Sequence, residues 1–439
     1  MNNPQEFQFF QAKKCKKINY DFKGGDLSSE GGLLLLREFD DKLGFSQGIS
    51  DCIVDRRNPD YITHEMEDLV RERLYMLLQG YSDCNDATYL KTDPTFKAVL
   101  GRVESDPDLA SQPTLCRLEN QVTRPELKAL IVYQIERWLD SYKTTPNEIV
   151  LDIDSTDDPA HGKQQLALFH GYYDQYMYHP IIFGCGGNVI FSYLRPGRHH
   201  ASRGVIPLLK FLIKHIRNRF PNVKIKLRAD SGFAIPRFFD FLEENNIQYA
   251  IALITNKRLI KKNEPFIKKA QKAFNRKGEK QRLFHAFMHD VDSWRKARRV
   301  IAKAEVMAEG TNNRFLVSTI DDEPHVIYDD FYTQRGDSEN DIKELKLGCH
   351  ADRLSCHKFQ ANFFRLVLST FAYQLMHYFK SILANTEFET ATIQTIRLHL
   401  FKVAVRVHRS VRRLWFNFTS SFVYQDLFVH LHHKILAIQ

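Results

Sequence analysis

Three acidic residues far apart in the chain sit where a carboxylate could hold a metal ion. Asp154 lies in the run Leu151-Asp152-Ile153-Asp154-Ser155-Thr156, Asp230 in Arg228-Ala229-Asp230-Ser231-Gly232-Phe233, and Glu339 in the stretch 332–346. In that stretch Tyr332, Arg335, Glu339 and Lys346 follow one another at gaps of three, four and seven residues. Those steps bring all four to one helix face if the segment is helical from its start. As ordinary surface, the face would be solvated and laced by i,i+4 pairs, Arg335 with Glu339 and Glu339 with Lys343. As a functional face it suits a phosphate backbone: the cations meet phosphates, the tyrosine stacks on a base or sugar, and the glutamate holds a metal ion. Cutting or transferring a phosphodiester needs an activated oxygen and a stabilised leaving oxygen, which two divalent cations about 3.5–4 Å apart can provide. Mg²⁺ prefers carboxylate oxygens and keeps several waters, so three acids from different elements suffice. Any one of them alone reads as a cap or turn residue; the set carries the weight.

The elements around these residues must bring them together. Residues 148–156 read as a strand, an apolar run followed by strict alternation, with Asp152 and Asp154 on one face. Residues 180–183 and 189–194 read as strands of a hairpin turned at glycines, 204–220 as an amphipathic helix, 224–229 as a strand ending at Asp230, 236–245 as a helix, and 247–254 as a strand. That succession is the one found in a ribonuclease-H-like core, an α/β fold with a mixed sheet and flanking helices. Its acidic residues gather along one sheet edge, and Asp154, Asp230 and Glu339 fall in the three expected places. The organisation predicted is a mainly helical N-terminal region over 1–145 that helps bind DNA ends, a first part of the core over 146–255, and a basic β-rich insertion over 256–330. The helix carrying Glu339 and the end of the core follow over 331–385, then a basic C-terminal region over 386–439. Within the insertion, 299–307 and 314–320 read as strands. In the N-terminal region, 1–26 read as a short strand or extended arm, Gly31-Gly32 mark a helix start, and Ser111 opens a capped helix that could also present polar groups in a groove. Near the C-terminus, Ile396, Leu398 and Leu400 alternate with Arg397 and His399, and Val403, Val405 and Val407 with Arg406 and His408. This suggests strands with one basic face, with a helix as the alternative.

The charge is uneven. The formal net charge is +9, but residues 257–303 hold sixteen Lys/Arg against four Asp/Glu. Such a concentration attracts polyanions, nucleic acid first among them. Trp294, among those basic residues, could stack a flipped base or equally sit in a core. Seven scattered cysteines argue against a disulfide framework and for a reducing compartment. The doublets Cys349-His350 and Cys356-His357 have no companion cluster with finger-like spacing. His199-His200 read as a DNA-facing loop or plain turn, with metal binding as an alternative. No apolar block marks a signal peptide, and the apolar stretch 361–383 is broken by Arg365, His377 and Lys380, so it reads as a buried helix. The expected location is the cytoplasm, with no membrane contact.

The sequence resembles the DDE transposases of bacterial insertion sequences, in particular the insertion sequence 1380 family of the group with a β-insertion. The resemblance covers most of the chain. It rests on L-D-I-D-S-T-D-D-P from Leu151 to Pro159, R-A-D-S-G-F from Arg228 to Phe233, and the Tyr332, Arg335, Glu339, Lys346 signature, with Asn362 and Arg365 in the helical text beyond. It implies Asp154, Asp230 and Glu339 as a catalytic triad holding Mg²⁺, with Mn²⁺ as a substitute. Tyr332, Arg335 and Lys346 would grip the transposon end. Asp154 is preferred to Asp152 because its D-x-T setting resembles the family's first motif and its mid-strand place fits the fold. The implied reaction is attack by water at the element's terminus, then attack of the freed 3′-hydroxyl on target DNA, with or without a hairpin on the element end. A homodimer bridging two DNA ends is implied as the active assembly. Two other readings stay open: a nuclease or resolvase on the same fold that cuts without joining, and a DNA-binding descendant that has lost catalysis.

Overall fold

The computed structural model describes residues 7–11, 17–103 and 105–438, with side chains from residue 21 onward. The chain is a mixed α/β protein that separates into two compact units. One comprises Asp51–Val54 and Arg117–Tyr378, the other Met1–Ser50, Asp55–Cys116 and Phe379–Gln439. Residues 117–145 thus belong with the first of these, and the C-terminal segment with the second.

The first unit is built on an eight-stranded sheet. Its strands are β1 (Glu148–Ser155), β2 (Ile181–Cys185), β3 (Asn188–Tyr193), β4 (Lys224–Ala229), β5 (Gln248–Leu253), β6 (Gln281–His289), β7 (Arg298–Met307) and β8 (Gly310–Ser318). They stand side by side in the order β6-β7-β8-β5-β4-β1-β2-β3. The pairs β1/β4 and β4/β5 are parallel, and every other neighbour pair is antiparallel. Helices α1 (Arg124–Asp140), α2 (Val205–Arg219) and α3 (Pro236–Glu244) bury Leu130, Ile135, Leu209, Leu212, Phe238 and Phe239. One face of the central strands is apolar and covered, and it alternates with polar residues along β4. Ile149, Leu151, Ile153, Ile225 and Leu227 are all buried. Helix α1 opens with a capping box between Thr123 and Glu126.

The segment expected to be a β-rich insertion opens instead on a helix, α4 (Lys257–Lys277). Its strands β6 to β8 do not form a separate sheet; β8 pairs with β5 and prolongs the main one. The lysine-rich text hid the helix because its buried stripe is sparse: Leu259, Asn263 and Ala270 are buried, and the Phe266 ring stacks on His285 at 3.6 Å between centroids. Nine lysines and arginines against one glutamate occupy the rest, and all nine are exposed. The fold continues through α5 (Arg335–Cys349) and α6 (Phe359–Ile382). Helix α6 is held by Gln374 to the Val189 and Ile190 carbonyls and by Gln134 to its own Val367 carbonyl. Among the described residues no helix is long and apolar enough to cross a membrane.

In the other unit the strand Leu27–Ser28 pairs with Val405–Arg409, which pairs with Leu414–Phe418. Residues 393–401 are helical, correcting the strand expected there; the alternation resumes as a strand only at Val405, where Val405 and Val407 are buried. The arm expected over 1–26 forms an antiparallel pair, Phe7–Gln11 with Lys17–Tyr20. Gly32 precedes the helix Leu33–Leu43, and a Cβ there would meet the Leu400 carbonyl oxygen at 2.2 Å, so no larger residue fits. The helix Met66–Leu78 is buried almost all round, Arg71, Glu72 and Arg73 included. Glu72 accepts a hydrogen bond from the Ala110 backbone, and its other oxygen has no hydrogen-bonding partner.

Burial pushes the Glu72 carboxyl up to about 8. A carboxyl whose pKa rises on folding destabilises the fold progressively as pH climbs from its unfolded value to its folded one. Stability should therefore decline between about pH 4.5 and about pH 8 through this residue. Glu72→Gln should remove that decline and raise the melting midpoint at pH 8–9 relative to the wild type. The gain should be a few kcal/mol, since one pKa unit is worth about 1.4 kcal/mol. Thermal melts of both proteins across that pH range check this.

Candidate active site

The site lies where β1 and β4 run parallel. Their register sets Arg228 beside Asp152 and Ala229 beside Ile153. Side chains two residues apart share a face of a strand, so the next step along that face carries Asp154 on β1 and Asp230 just past the end of β4. Asp230 caps the short turn Ser231–Phe233 by accepting from the Gly232 backbone at 2.9 Å. Gly232 is confined: a Cβ would lie 2.9 Å from the Ala201 Cβ and 3.1 Å from Asp230 Oδ1.

Asp152 and Asp154 are separated by their partners. Arg228 takes Asp152 with two parallel bonds, Nε to Oδ1 at 2.7 Å and Nη2 to Oδ2 at 2.6 Å, and both residues are buried. Asp154 accepts from the Ser155 backbone at 2.8 Å and from Arg335 Nη1 at 2.7 Å. Burial, together with the charges of Asp230 and Glu339, pushes the Asp154 carboxyl up to about 6 against the pull of Arg335. Arg335 also donates from Nη2 to Glu339 at 2.6 Å, so one guanidinium stands between the two acids. Burial works against the charge of Arg335, but Asp154, Tyr332, Glu339 and Asp230 outweigh it and raise its pKa.

The segment 332–346 is not one continuous α-helix. Tyr332 ends a π-helical turn, Ile327–Tyr332, and α5 begins at Arg335. Burial raises the hydroxyl pKa of Tyr332, and the neighbouring Arg335 opposes that rise. Tyr332 also packs on the cluster of Ala250, Ile301, Leu316, Ile320, Ile327 and Tyr328. The face is thus partly apolar where the sequence suggested a wholly polar one. Glu339 lies one turn beyond Arg335 with its side chain 61% exposed. Lys346 donates to the Asp157 carbonyl at 2.6 Å and to its carboxylate at 3.2 Å, fastening α5 to the chain just past β1. Lys346 and Gln175 hold the Asp157 carboxyl below its ordinary value although burial opposes them. The tie from Glu339 to Lys343 anticipated from their spacing is not among the ion pairs of this face; Arg335 takes the glutamate.

Trp294 is half-buried, its ring under the Arg298 guanidinium at 5.4 Å and edge-on to Phe239 and His289. Asn362 and Arg365 are buried. Asn362 accepts from the Cys356 backbone and donates to its carbonyl, and Arg365 donates to Ser355 and pairs with Glu119, so together they hold the loop before α6. His199 and His200 lie in a loop whose carbonyls are gathered by Arg195, which donates to those of His179, His200, Ala201 and Arg203. Cys349 is buried at the end of α5, with His350 as its left-handed cap. Among the described residues no three His, Cys, Asp or Glu side chains stand close enough to hold a metal ion together. Of the three acids, Asp154 and Glu339 are both bonded to Arg335.

Sequence reasoning passed over Arg228, Gln334 and Asp157, although all three lie inside stretches it singled out. Arg228 and Asp152 each precede a site acid by two residues. That shared offset was the available signal, and it becomes meaningful only once β1 and β4 are known to be in register.

Residues 10–439 match the family described as Transposase DDE domain group 1, and the chain belongs to that family. Among solved structures it is similar to a cryo-electron-microscopy structure of a piggyBac transposase synaptic complex with hairpin DNA. The two are 13% identical over 93% of this chain and 85% of that one, with a TM-score of 0.42. No curated protein matches the chain.

Gly232→Ala should destabilise the protein by about 1–3 kcal/mol, because the added methyl has no room beside Ala201 and Asp230. Urea titration of wild type and variant measures it.

Proposed function

We propose that this protein is a transposase of the insertion sequence 1380 type that cuts DNA at the ends of its element and joins the freed 3′-hydroxyl to target DNA. Asp154, Asp230 and Glu339 are the acids of the reaction, and Arg335, Tyr332, Lys346 and Trp294 face the DNA. The observation that carries this reading is that Arg335 bonds both Asp154 and Glu339, while Asp230, at the end of the parallel strand next to that of Asp154, adds its charge to the same guanidinium. A ribonuclease-H-like core is supported by the sheet order β3-β2-β1-β4-β5, with β1, β4 and β5 parallel and β2 and β3 antiparallel to their neighbours.

The donor set fits divalent cations. It consists of carboxylate oxygens, which Mg²⁺ and Mn²⁺ favour, and Asp154, whose pKa is raised by burial and further by the charges of Asp230 and Glu339, gains from added positive charge. Asp154, Asp230 and Glu339 would hold the cations, which when bound activate the attacking oxygen and stabilise the leaving one. The residues do the rest. Arg335 balances Asp154 and Glu339 in the DNA-free protein; relieved of that duty, its two Nη groups can grip one phosphate bidentately. Tyr332 offers a ring beside it, and Lys346 holds α5 on β1 while lending positive charge. The exposed face of α4 and the partly exposed Trp294 beside Arg295 and Lys296 extend the surface offered to the backbone. The unit formed by the N- and C-terminal segments helps to recognise the element's ends, and two copies bridge a pair of ends. The reaction takes place in the cytoplasm.

Changing Asp154, Asp230 or Glu339 to Ala should abolish Mg²⁺-dependent cleavage of a duplex carrying the element's end while altering its binding by no more than a few-fold. Gel assays of cleavage and mobility check this, and normal cutting by any variant removes that residue from the site. With paired ends and a target duplex, cutting without a joined product would instead identify a nuclease.

Replacing Lys261, Lys268, Lys269 and Lys272 on α4 with Glu should weaken DNA binding and flatten its salt dependence by about 0.9 in slope for each phosphate no longer neutralised. Titrations between 50 and 200 mM salt, roughly the range over which such charge pairing tells, provide the measurement.

A further inference from the structure

Two of the three acids are carried by β1 and by the end of β4, which the sheet joins, but α5, which carries the third, is not part of it. Something must set where Glu339 stands. In addition to the ion pair of Arg335 with Asp154, a second polar link between the root of α5 and the strands runs through Arg228. Besides its two bonds to Asp152, it donates from Nη1 to the Phe331 carbonyl at 3.0 Å and to the Gln334 side chain at 3.3 Å. Its guanidinium also lies 5.5 Å from the centre of the Phe331 ring, and Lys226, two residues earlier on β4, lies 5.6 Å from it. Phe331 belongs to the π-helical turn and Gln334 immediately precedes α5. One side chain thus touches β1, β4 and the root of the helix together.

We infer that Arg228, locked by Asp152, is a positioning residue: it fixes the root of α5 against β1 and β4 and so sets where Arg335 and Glu339 stand against Asp154 and Asp230. The inference rests on the reading of those acids as the metal-holding set. Its physical basis is leverage. Phe331 lies eight residues before Glu339 and four before Arg335, and only Thr333 and Gln334 separate its π-helical turn from α5. A displacement at Phe331 is therefore carried down to both. Sites of this kind need placement within about 0.5 Å, and an error near 1 Å can cost roughly a hundredfold in rate. Only a planar fork can hold one carboxylate with two bonds and still reach a carbonyl. The plain alternative is a buried ion pair that merely stabilises the sheet. A buried pair can often be replaced by apolar residues of similar volume without loss of stability, and that separates the two.

The test compares wild type with Arg228→Lys and with the double variant Asp152→Leu/Arg228→Met. Three quantities are followed: melting midpoint, Mn²⁺ affinity by electron paramagnetic resonance, and single-turnover cleavage of a duplex carrying the element's end. In Arg228→Lys a cation stays beside Asp152; in the double variant the pair is exchanged for an apolar one. The expected result is a midpoint near the wild type's in at least one variant, Mn²⁺ binding weakened about tenfold, and cleavage slowed about a hundredfold with DNA affinity unchanged. A variant that melts, binds Mn²⁺ and cleaves like the wild type overturns the inference. So does the collapse of both variants' melting transitions, since the pair then serves the whole fold. Asp154→Asn is the separate control. If it binds Mn²⁺ as tightly as the wild type, the assignment of the acids fails, and the positioning role with it.

Discussion

The parallel pairing of β1 with β4 is the constraint on which the site depends. Parallel strands in fixed register present matching side chains side by side along one face. Here the register sets Arg228 beside Asp152, buried and doubly hydrogen-bonded, and leads one step on to Asp154 and Asp230. A slip of one residue would send all of these side chains to the opposite face. Two carboxylates whose elements end together in a half-buried setting are costly unless positive charge is supplied. The protein supplies it from α5, through Arg335.

That arrangement makes Arg335 the counterpart of the acids rather than a bystander on the same helix. It is tied to Asp154 and Glu339 at once, and its own pKa rises because four groups favour its charge over the opposition of burial. A π-helical turn just before α5 brings Tyr332 against it. Such turns are uncommon and cluster where a side chain has to be aimed out of the ordinary helical progression. Lys346, about three turns further along α5, is spent on Asp157, so Arg335 and Lys346 fasten α5 at and just past the end of β1.

The positive charge concentrated after β5 has a similarly simple physical form. Helix α4 lays a thin apolar and amide stripe on β6, β7 and β8, including Asn263 bonded to Asn313 and to the Lys303 carbonyl, and turns its lysines outward. By continuing from β5 through β8, the added strands cover what would otherwise be an open sheet edge and give α4 a firm bed.

The large sheet's strands and the helices from 148 to 254 were legible in the sequence because their apolar periodicity is local, and the ends of β1, β4 and α3 fell within a residue or two of expectation; the short strands Asp158–Pro159, Leu168–His170 and Gln175–Tyr178 were not. The three acids and the Tyr332, Arg335, Glu339, Lys346 spacing were legible too, since residue type and interval are sequence properties. Helix α4 was not, because its buried stripe is too sparse for its period to show among lysines; nor were residues 393–401, whose alternation fits a strand as well as the short helical turns that packing selected. What only the tertiary structure decided is who pairs with whom. Asp152 and Asp154 have the same type, the same strand and the same face, and only a motif resemblance set them apart; Arg228 and Arg335, brought from 76 and 181 residues away, give each its own partner. Charge pairing at such separations is a consequence of register and docking, which no window of sequence contains.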